Sequence, residues 1–319
     1  DGLGFFKWEA NPYYEDDDPI WKMMYKHIAV ANAILVNADQ FKDDELYNKI
    51  KGEAYFIRAV NYFELVNLYA LPYVKATATT TLGIPLKLTN YVEDRYFSRS
   101  PIDSVYHVIV HDLQMAASLL KGVEQPSVFR ANATAANALL SRVYLYMQDW
   151  HNAALTAEEL LKEDTRLYHM SARDSARIFL SEDNTEVLFS QGSMNFYNGM
   201  TGNRGDFAVS DSLVQLYDQE NDYRRYFFGK NQSTSANSLQ WKYDTIAVPH
   251  VSDIYTLRIA EGYLNLAEAY AMEDNFQGAN QYLWLLRESR IRNYVHTTYT
   301  GEKLVEEIRL ERRRELCFE

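Results

Sequence analysis

The chain has 319 residues, a formal net charge of −12, 47% hydrophobic and 14% aromatic residues with 25 Tyr, and a single cysteine, Cys317. That hydrophobic fraction excludes wholesale disorder, and the length supports one large or two ordinary domains. One cysteine excludes a disulfide framework or a Cys-based zinc site, the acidic balance argues against a broad nucleic-acid surface, and no segment is long and apolar enough to cross a membrane.

The first residues, Asp1-Gly2-Leu3-Gly4, are neither an initiator Met nor a signal peptide, so the chain is expected to be processed or truncated. From residue 20 to 38, Trp21, Met24, Ile28, Ala31, Leu35 and Ala38 recur at three- and four-residue steps, which predicts a helix with one apolar face. Asp16, Asp17, Asp18 and Pro19 suit its N-terminus, because proline fits the first turn and carboxylates favour the positive dipole end. A longer helix is predicted over 43–70. From Ala54 onward it is apolar on most sides, interrupted only by Arg58, Asn61, Glu64 and Asn67, three apart, read as one polar stripe. Such a helix belongs inside a helical assembly, and Leu71-Pro72 ends it.

Residues 73–100 lack a helical period and read as an irregular loop that could carry a short strand near Ile84-Pro85-Leu86. Ser100-Pro101-Ile102-Asp103 restarts helix to about Leu120, and a pair follows at 131–147 and 151–163. Residues 165–255 are a loop-rich insert with Gly199, Gly202 and Gly205, and one short helix at 211–218. A second pair returns at 256–273 and 275–293, and a last helix runs from about Gly301 to the end.

The two pairs superpose at a constant offset of 126. Leu140 falls on Leu266, Tyr144 on Tyr270, Asp149 on Asn275, Trp150 on Phe276, Ala153 on Ala279 and Leu160 on Leu286. A small Ala opening the second helix, an Asp/Asn-aromatic turn and a Tyr ending the first form the grammar of a tetratricopeptide-type helix pair. The repeats are not contiguous, so a regular solenoid is not expected.

Three runs carry a resemblance. Residues 51–69, with Glu53, Ala54, Phe56, Arg58, Ala59, Tyr62, Phe63, Leu65, Val66, Leu68 and Tyr69, resemble the long helix of the SusD/RagB family, although Ala70-Leu71-Pro72 stands where the family has Gly-Gly-x-Pro. Arg258, Ala260, Glu261, Leu264, Ala267, Glu268 and Ala269 are similar to its R-x-A-E-x-x-L-x-x-A-E-A helix. Glu311-Arg312-Arg313-Arg314-Glu315-Leu316-Cys317-Phe318-Glu319 looks like its E-R-R-x-E-L-x-F-E signature. The resemblance implies an all-α fold of tetratricopeptide-like helix pairs with an irregular ligand-binding insert. The expected layout is a single domain over 1–319, with helix pairs at about 20–70, 101–163, 256–293 and 301–319 and the insert at about 165–255. It also implies a lipidated outer-membrane surface protein that captures oligosaccharide for a SusC-like TonB-dependent transporter. The lipid anchor would then lie upstream of Asp1, and the chain would continue past Glu319. Peptide binding of the RagB type, or a tetratricopeptide adaptor, are the alternatives.

The residues themselves offer little catalytic chemistry. His107 and His111 at i and i+4 have metal-ligand spacing but no third ligand, and read as a surface or half-buried pair. The Gly199, Gly202, Gly205 run lacks the signatures of a P-loop or a dinucleotide site and reads as a mobile loop. Arg312, Arg313 and Arg314 alternate with Glu306, Glu307, Glu311 and Glu315 at helical distances, which reads as a charge-paired helix. Cys317 has no nearby His to activate it. The expectation is a non-enzyme without cofactor or metal. Aromatics are the best functional clue, since sugar C–H faces stack on flat rings while amides and carboxylates bond the hydroxyls. Tyr55, Tyr62, Phe63 and Tyr69 lie on the buried helix and read as core. The loop-borne set is the candidate ligand site: Trp8, Asn11, Tyr13, Tyr14, Phe196, Tyr197, Asn198, Trp241 and Tyr243.

Overall fold

Consecutive antiparallel helices form the frame. The structure, a computed structural model, describes residues 18–172, 178–192, 208–231, 235–239, 242, 251 and 255–319. Its helices are α1 (Pro19–Ala38), α2 (Tyr47–Tyr69), α3 (Ile102–Leu119), α4 (Ala133–Tyr146), α5 (Trp150–Glu163), the single turn α6 (Asp211–Val214), α7 (Ile259–Met272), α8 (Phe276–Arg290) and α9 (Gly301–Glu315). Each long helix packs on the next, α1 on α2 through α4 on α5; α7 then packs on α5, α8 and α9. The fold is therefore predominantly helical, and among the described residues no helix is long and apolar enough to cross a membrane.

Side-chain caps open α1, α4, α5, α6 and α8. Asp18 accepts from the backbone N–H of Ile20 and Trp21 at 3.0 and 3.1 Å and so opens α1, satisfying donors that have no partner within the helix. Its second oxygen accepts from Tyr69 Oη at 2.5 Å, tying the start of α1 to the end of α2. The helix expected from residue 43 begins instead at Tyr47, after a 3₁₀ turn at Asp39–Phe41.

The internal repeat holds down to backbone torsions. Gln148 and Asp274, 126 residues apart, both take positive φ, 57° and 60°. The next residues, Asp149 and Asn275, donate backbone N–H to Tyr144 and Tyr270 O at 2.9 and 2.8 Å. Their side chains then cap α5 and α8, accepting from the N–H of Asn152 and Gly278. Ala153 and Ala279 are fully buried, as are Leu160 and Leu286. Between the pairs Gly262 on α7 meets α5; a Cβ built there would stand 2.5 Å from Leu160 Cδ2.

Two regions depart from expectation. Residues 73–100 contain no strand, only an isolated bridge between Leu82 and Pro101. The loop is held by side chains instead. Tyr62 Oη donates to Lys87 O and accepts its N–H, Asn32 Nδ2 donates to Lys87 O, and Arg99 donates to carbonyls of Tyr69, Leu82 and Gly83. The second departure lies in the insert and at its exit. There β1 (Val187–Ser190) pairs antiparallel with β4 (Thr256–Arg258), and β2 (Phe228–Lys230) with β3 (Asn237–Leu239). The helix expected from 256 starts only at Ile259, because Thr256–Arg258 is extended to close the β1–β4 ladder. These strands are three or four residues long, too short for a period of two to show in the sequence.

The C-terminal charges are paired differently from expectation. Among the adjacent pairs on α9, Arg314 does reach Glu311 at 3.1 Å. Glu311 and Glu315, however, are turned inward and fully buried. Glu315 meets Arg224, Arg258 and Arg290 at 2.9–3.0 Å. Glu186 takes Arg258 and Arg290 at 2.8 and 2.6 Å. Glu311 takes Arg224 and Arg287 at 2.6 and 2.8 Å. Glu319 takes Lys242 and Arg258 at 2.8 and 2.7 Å, and Asp222 takes Arg224 at 2.8 Å. Five cations therefore meet five carboxylates (Arg224, Arg258, Arg287, Arg290 and Lys242 against Asp222, Glu186, Glu311, Glu315 and Glu319). They join α8, α9, β4 and the insert. Burial alone pushes the Glu311 carboxyl up, but Arg224, Arg287 and Arg314 together hold it at about 2.

Candidate functional site

All nine loop residues read from the sequence as ligand contacts lie outside the described residues: Trp8, Asn11, Tyr13, Tyr14, Phe196, Tyr197, Asn198, Trp241 and Tyr243. So does the Gly199, Gly202, Gly205 run. The described residues offer other surfaces.

The polar stripe of α2 is the way in. Steps of three advance about 300° in a helix of 3.6 residues per turn, so the stripe winds backward by about 60° at each step and half a turn in all. Its four residues consequently face different neighbours. Arg58 turns toward α1 and α3, donating to Asp112 at 2.7 and 2.8 Å and to Asn32 Oδ1 at 2.8 Å. Asn61 meets His27 Nδ1 at 3.2 Å. Glu64 and Asn67, further round, line a cavity of about 640 Å³.

That cavity is bounded by α2, α4, the Tyr255–Thr256 entry to α7, α7 itself and the end of α9. Phe63, Tyr146 and Tyr255 supply rings to it. Arg142 on α4 donates Nε and Nη2 to the two oxygens of Glu261 on α7, at 2.6 and 2.5 Å. Its guanidinium lies 5.7 Å from the Tyr255 ring centroid. Arg312 on α9 donates to Glu268 Oε2 at 2.8 Å and Asn265 Oδ1 at 2.9 Å. Burial pushes the Glu64 carboxyl above its usual range, and the Arg142 charge offsets only part of that. Rings beside fixed donors and acceptors in a concave site are what a small polar ligand needs.

A second cavity of about 400 Å³ lies against α1 and α2 and is mostly apolar, with Val30, Ile34, Ile50, Ile57 and Phe189 on its walls. The Arg130–Glu53 pair is its main polar feature. Such a wall offers little to orient a hydroxylated ligand.

A third feature is the loop over residues 87–97. Lys87 Nζ is held by Thr89, Glu93 at 2.5 Å and the Tyr91 carbonyl at 2.7 Å, and lies 5.1 Å from the Tyr91 and 5.4 Å from the Phe97 ring centroids. This clamp leaves Tyr91 and Tyr96 exposed to solvent. Both are loop-borne aromatics and meet the criterion applied to the sequence, yet neither is among the nine candidates, which come from the N-terminal loop and the insert.

The remaining candidates have structural surroundings. His107 and His111 are exposed on α3, with Nδ1 of His107 at 2.8 Å from the Asp103 carbonyl and the ring of His111 edge-on to Tyr55. Among the described residues no group of three His, Cys, Asp or Glu could hold a metal ion. Cys317 is buried, its Sγ 3.3 Å from Tyr217 Oη. Tyr62 and Phe63 are core as expected, while Tyr55 and Tyr69 are partly buried.

Comparison with known proteins matches residues 7–145 to a SusD-like family described as starch-binding and associating with the outer membrane, and residues 146–319 to the SusD family. SusD-like protein P2 of Formosa agariphila is 27% identical over 285 residues, 77% of this chain and 54% of that protein. The chain thus spans about half the length of that curated relative. A SusD-like carbohydrate binding protein from Bacteroides vulgatus superposes with a TM-score of 0.79 at 24% identity, over 94% of this chain and 67% of that one. A SusD superfamily protein from Bacteroides thetaiotaomicron gives 0.77 at 23% identity, over 94% of this chain and 72% of that one.

Proposed function

The chain belongs to the SusD/RagB family, and on that premise we propose that it is a non-enzymatic glycan-capturing subunit at the outer membrane, delivering oligosaccharide to a SusC-like TonB-dependent transporter. The observation that carries the reading is the pair of family matches, which together run from residue 7 to 319, one of them to a family described as starch-binding. Attachment to the membrane is by a lipid anchor. Capture works by stacking and hydrogen bonding. Aromatic rings cover the apolar faces of the sugar, amides, carboxylates and guanidiniums bond its hydroxyls, and no bond is made or broken.

Three sets of groups support this. The cavity between α2, α4 and α7 sets rings beside hydrogen-bonding side chains. Tyr91 and Tyr96 stand in solvent on a loop already fixed by Lys87, so ordering it on binding costs little entropy. The loop residues Trp8, Asn11, Tyr13, Tyr14, Phe196, Tyr197, Asn198, Trp241 and Tyr243 are proposed as further contacts.

Titration of the chain with a panel of oligosaccharides, followed by calorimetry and intrinsic tryptophan fluorescence, is the test. Saturable binding of at least one glycan, recovered unhydrolysed, is expected. Binding of peptides with no glycan bound would overturn the reading in favour of peptide uptake, and release of smaller sugars would overturn the non-enzymatic part.

A further inference from the structure

Glu64 stands apart from every other charge on the cavity wall. Arg142 is spent on Glu261, Arg312 on Glu268 and Asn265, and Glu319 on Arg258 and Lys242. Glu64 makes no hydrogen bond and no direct ion pair among the described residues; Arg142 acts on it only through space. A half-buried carboxylate without a direct partner is costly, and the cost is removed by a cation placed against it. Phe63, Tyr146 and Tyr255 also line the cavity, and aromatic rings attract cations rather than anions. An anionic ligand would be repelled, and a neutral one would leave the carboxylate unmatched.

The form of the cation follows from the donor set. Divalent metal ions of the calcium type take six to eight oxygens, whereas Glu261, Glu268 and Glu319 are already committed to arginines or lysine. One open carboxylate suits a primary ammonium group, a compact charge with three donors. Asn67 and the rings of Tyr146 and Tyr255 line the same cavity and are placed to meet the body of the ligand. The cavity, about 640 Å³, falls in the range of small-molecule sites.

We propose that the cavity between α2, α4 and α7 is a subsite for an amino sugar with a free amine, whose ammonium group pairs with Glu64. This rests on the glycan-capture reading and names the sugar class of one subsite. The raised proton affinity of Glu64 agrees with it: burial disfavours its charge, and Arg142 offsets only part of that.

The test is calorimetric titration at neutral pH with three probes of equal length: a glucosamine trimer, its N-acetylated counterpart and a glucose trimer. The glucosamine trimer is expected to bind at least about tenfold more tightly than either neutral trimer, a preference worth about 1.4 kcal/mol. Glu64→Gln is expected to abolish that preference, and Glu64→Asp, which keeps the charge but shortens its reach, to reduce it. Thermal melts confirm that both variants fold. Equal affinity for the three trimers, a preference that survives in Glu64→Gln, or selection of a lysine-containing peptide over the glucosamine trimer would overturn the proposal. Binding of neutral glycans without an amine preference defeats this proposal alone. Binding of no glycan at all defeats the capture reading as well.

Discussion

Two sets of buried charges in this protein are built on opposite terms. Where α8, α9, β4 and the insert meet, five cations and five carboxylates interlock, every one with a partner within 3.0 Å. At the cavity wall Arg142 and Arg312 are paired in the same way, but Glu64 is not. The closed cluster has nothing left to offer a ligand and acts as a fastener. The open site has one group whose pairing is left to something else. Buried charge thus marks structure where it is balanced and a candidate binding site where it is not, and the partners distinguish the two.

The comparison is broken hardest by removing Arg258. Arg258→Met strips partners from Glu186, Glu315 and Glu319 at once, and a loss of about 3–5 kcal/mol is expected in denaturant unfolding. A loss under about 1 kcal/mol would show that the cluster is not a fastener.

Acid comes next. Glu311 is held at about 2 against an ordinary 4.5, so the folded state binds its proton more weakly than the unfolded chain does. Its stabilisation is complete above pH 4.5 and drains away as pH falls toward 2, on the order of 3 kcal/mol in all. Glu315 and Glu319 are also lowered and add to the same slope. Urea midpoints should change little between pH 6 and 5 and fall from about pH 4.5 downward, and Glu311→Gln should flatten part of that fall.

Glu64 has the opposite sign. Its carboxyl is raised by burial, so its ionised form opposes folding at neutral pH and the penalty fades as pH falls through its raised value. Glu64→Gln should therefore melt slightly higher than the parent at pH 7, with the gain shrinking at pH 4. A lower melting temperature at pH 7 would mean that Glu64 is a structural partner after all. The smallest effect belongs to the exposed rings. Tyr96→Ala should leave the melt unchanged and weaken glycan binding by about 0.5–1.5 kcal/mol if the ring stacks on sugar.

Much of the frame was legible because it is local. The apolar period of α1, the Pro72 stop, the 126-residue offset and the caps Asp149 and Asn275 all act within a few residues of where they are read. The site was less legible. Loop position alone flagged nine residues, none among those described. Meanwhile Glu64 and Asn67 sat in plain view as breaks in an apolar helix, and the break was the signal. What it faced was hidden, since a three-residue step winds round the helix and each residue meets a different neighbour.

The sequence by itself determined that the frame is helical, that two pairs repeat, and to which family the chain belongs, because periodicity, caps and motifs are properties of neighbouring residues. Only the tertiary structure decided the fate of the charges. The glutamates of α9 look like partners for the arginines beside them. Two of them instead turn inward to Arg224, Arg258, Arg287 and Arg290, up to 91 residues away. Pairing depends on distance in space and on exclusion of water, and neither is written in the order of the residues.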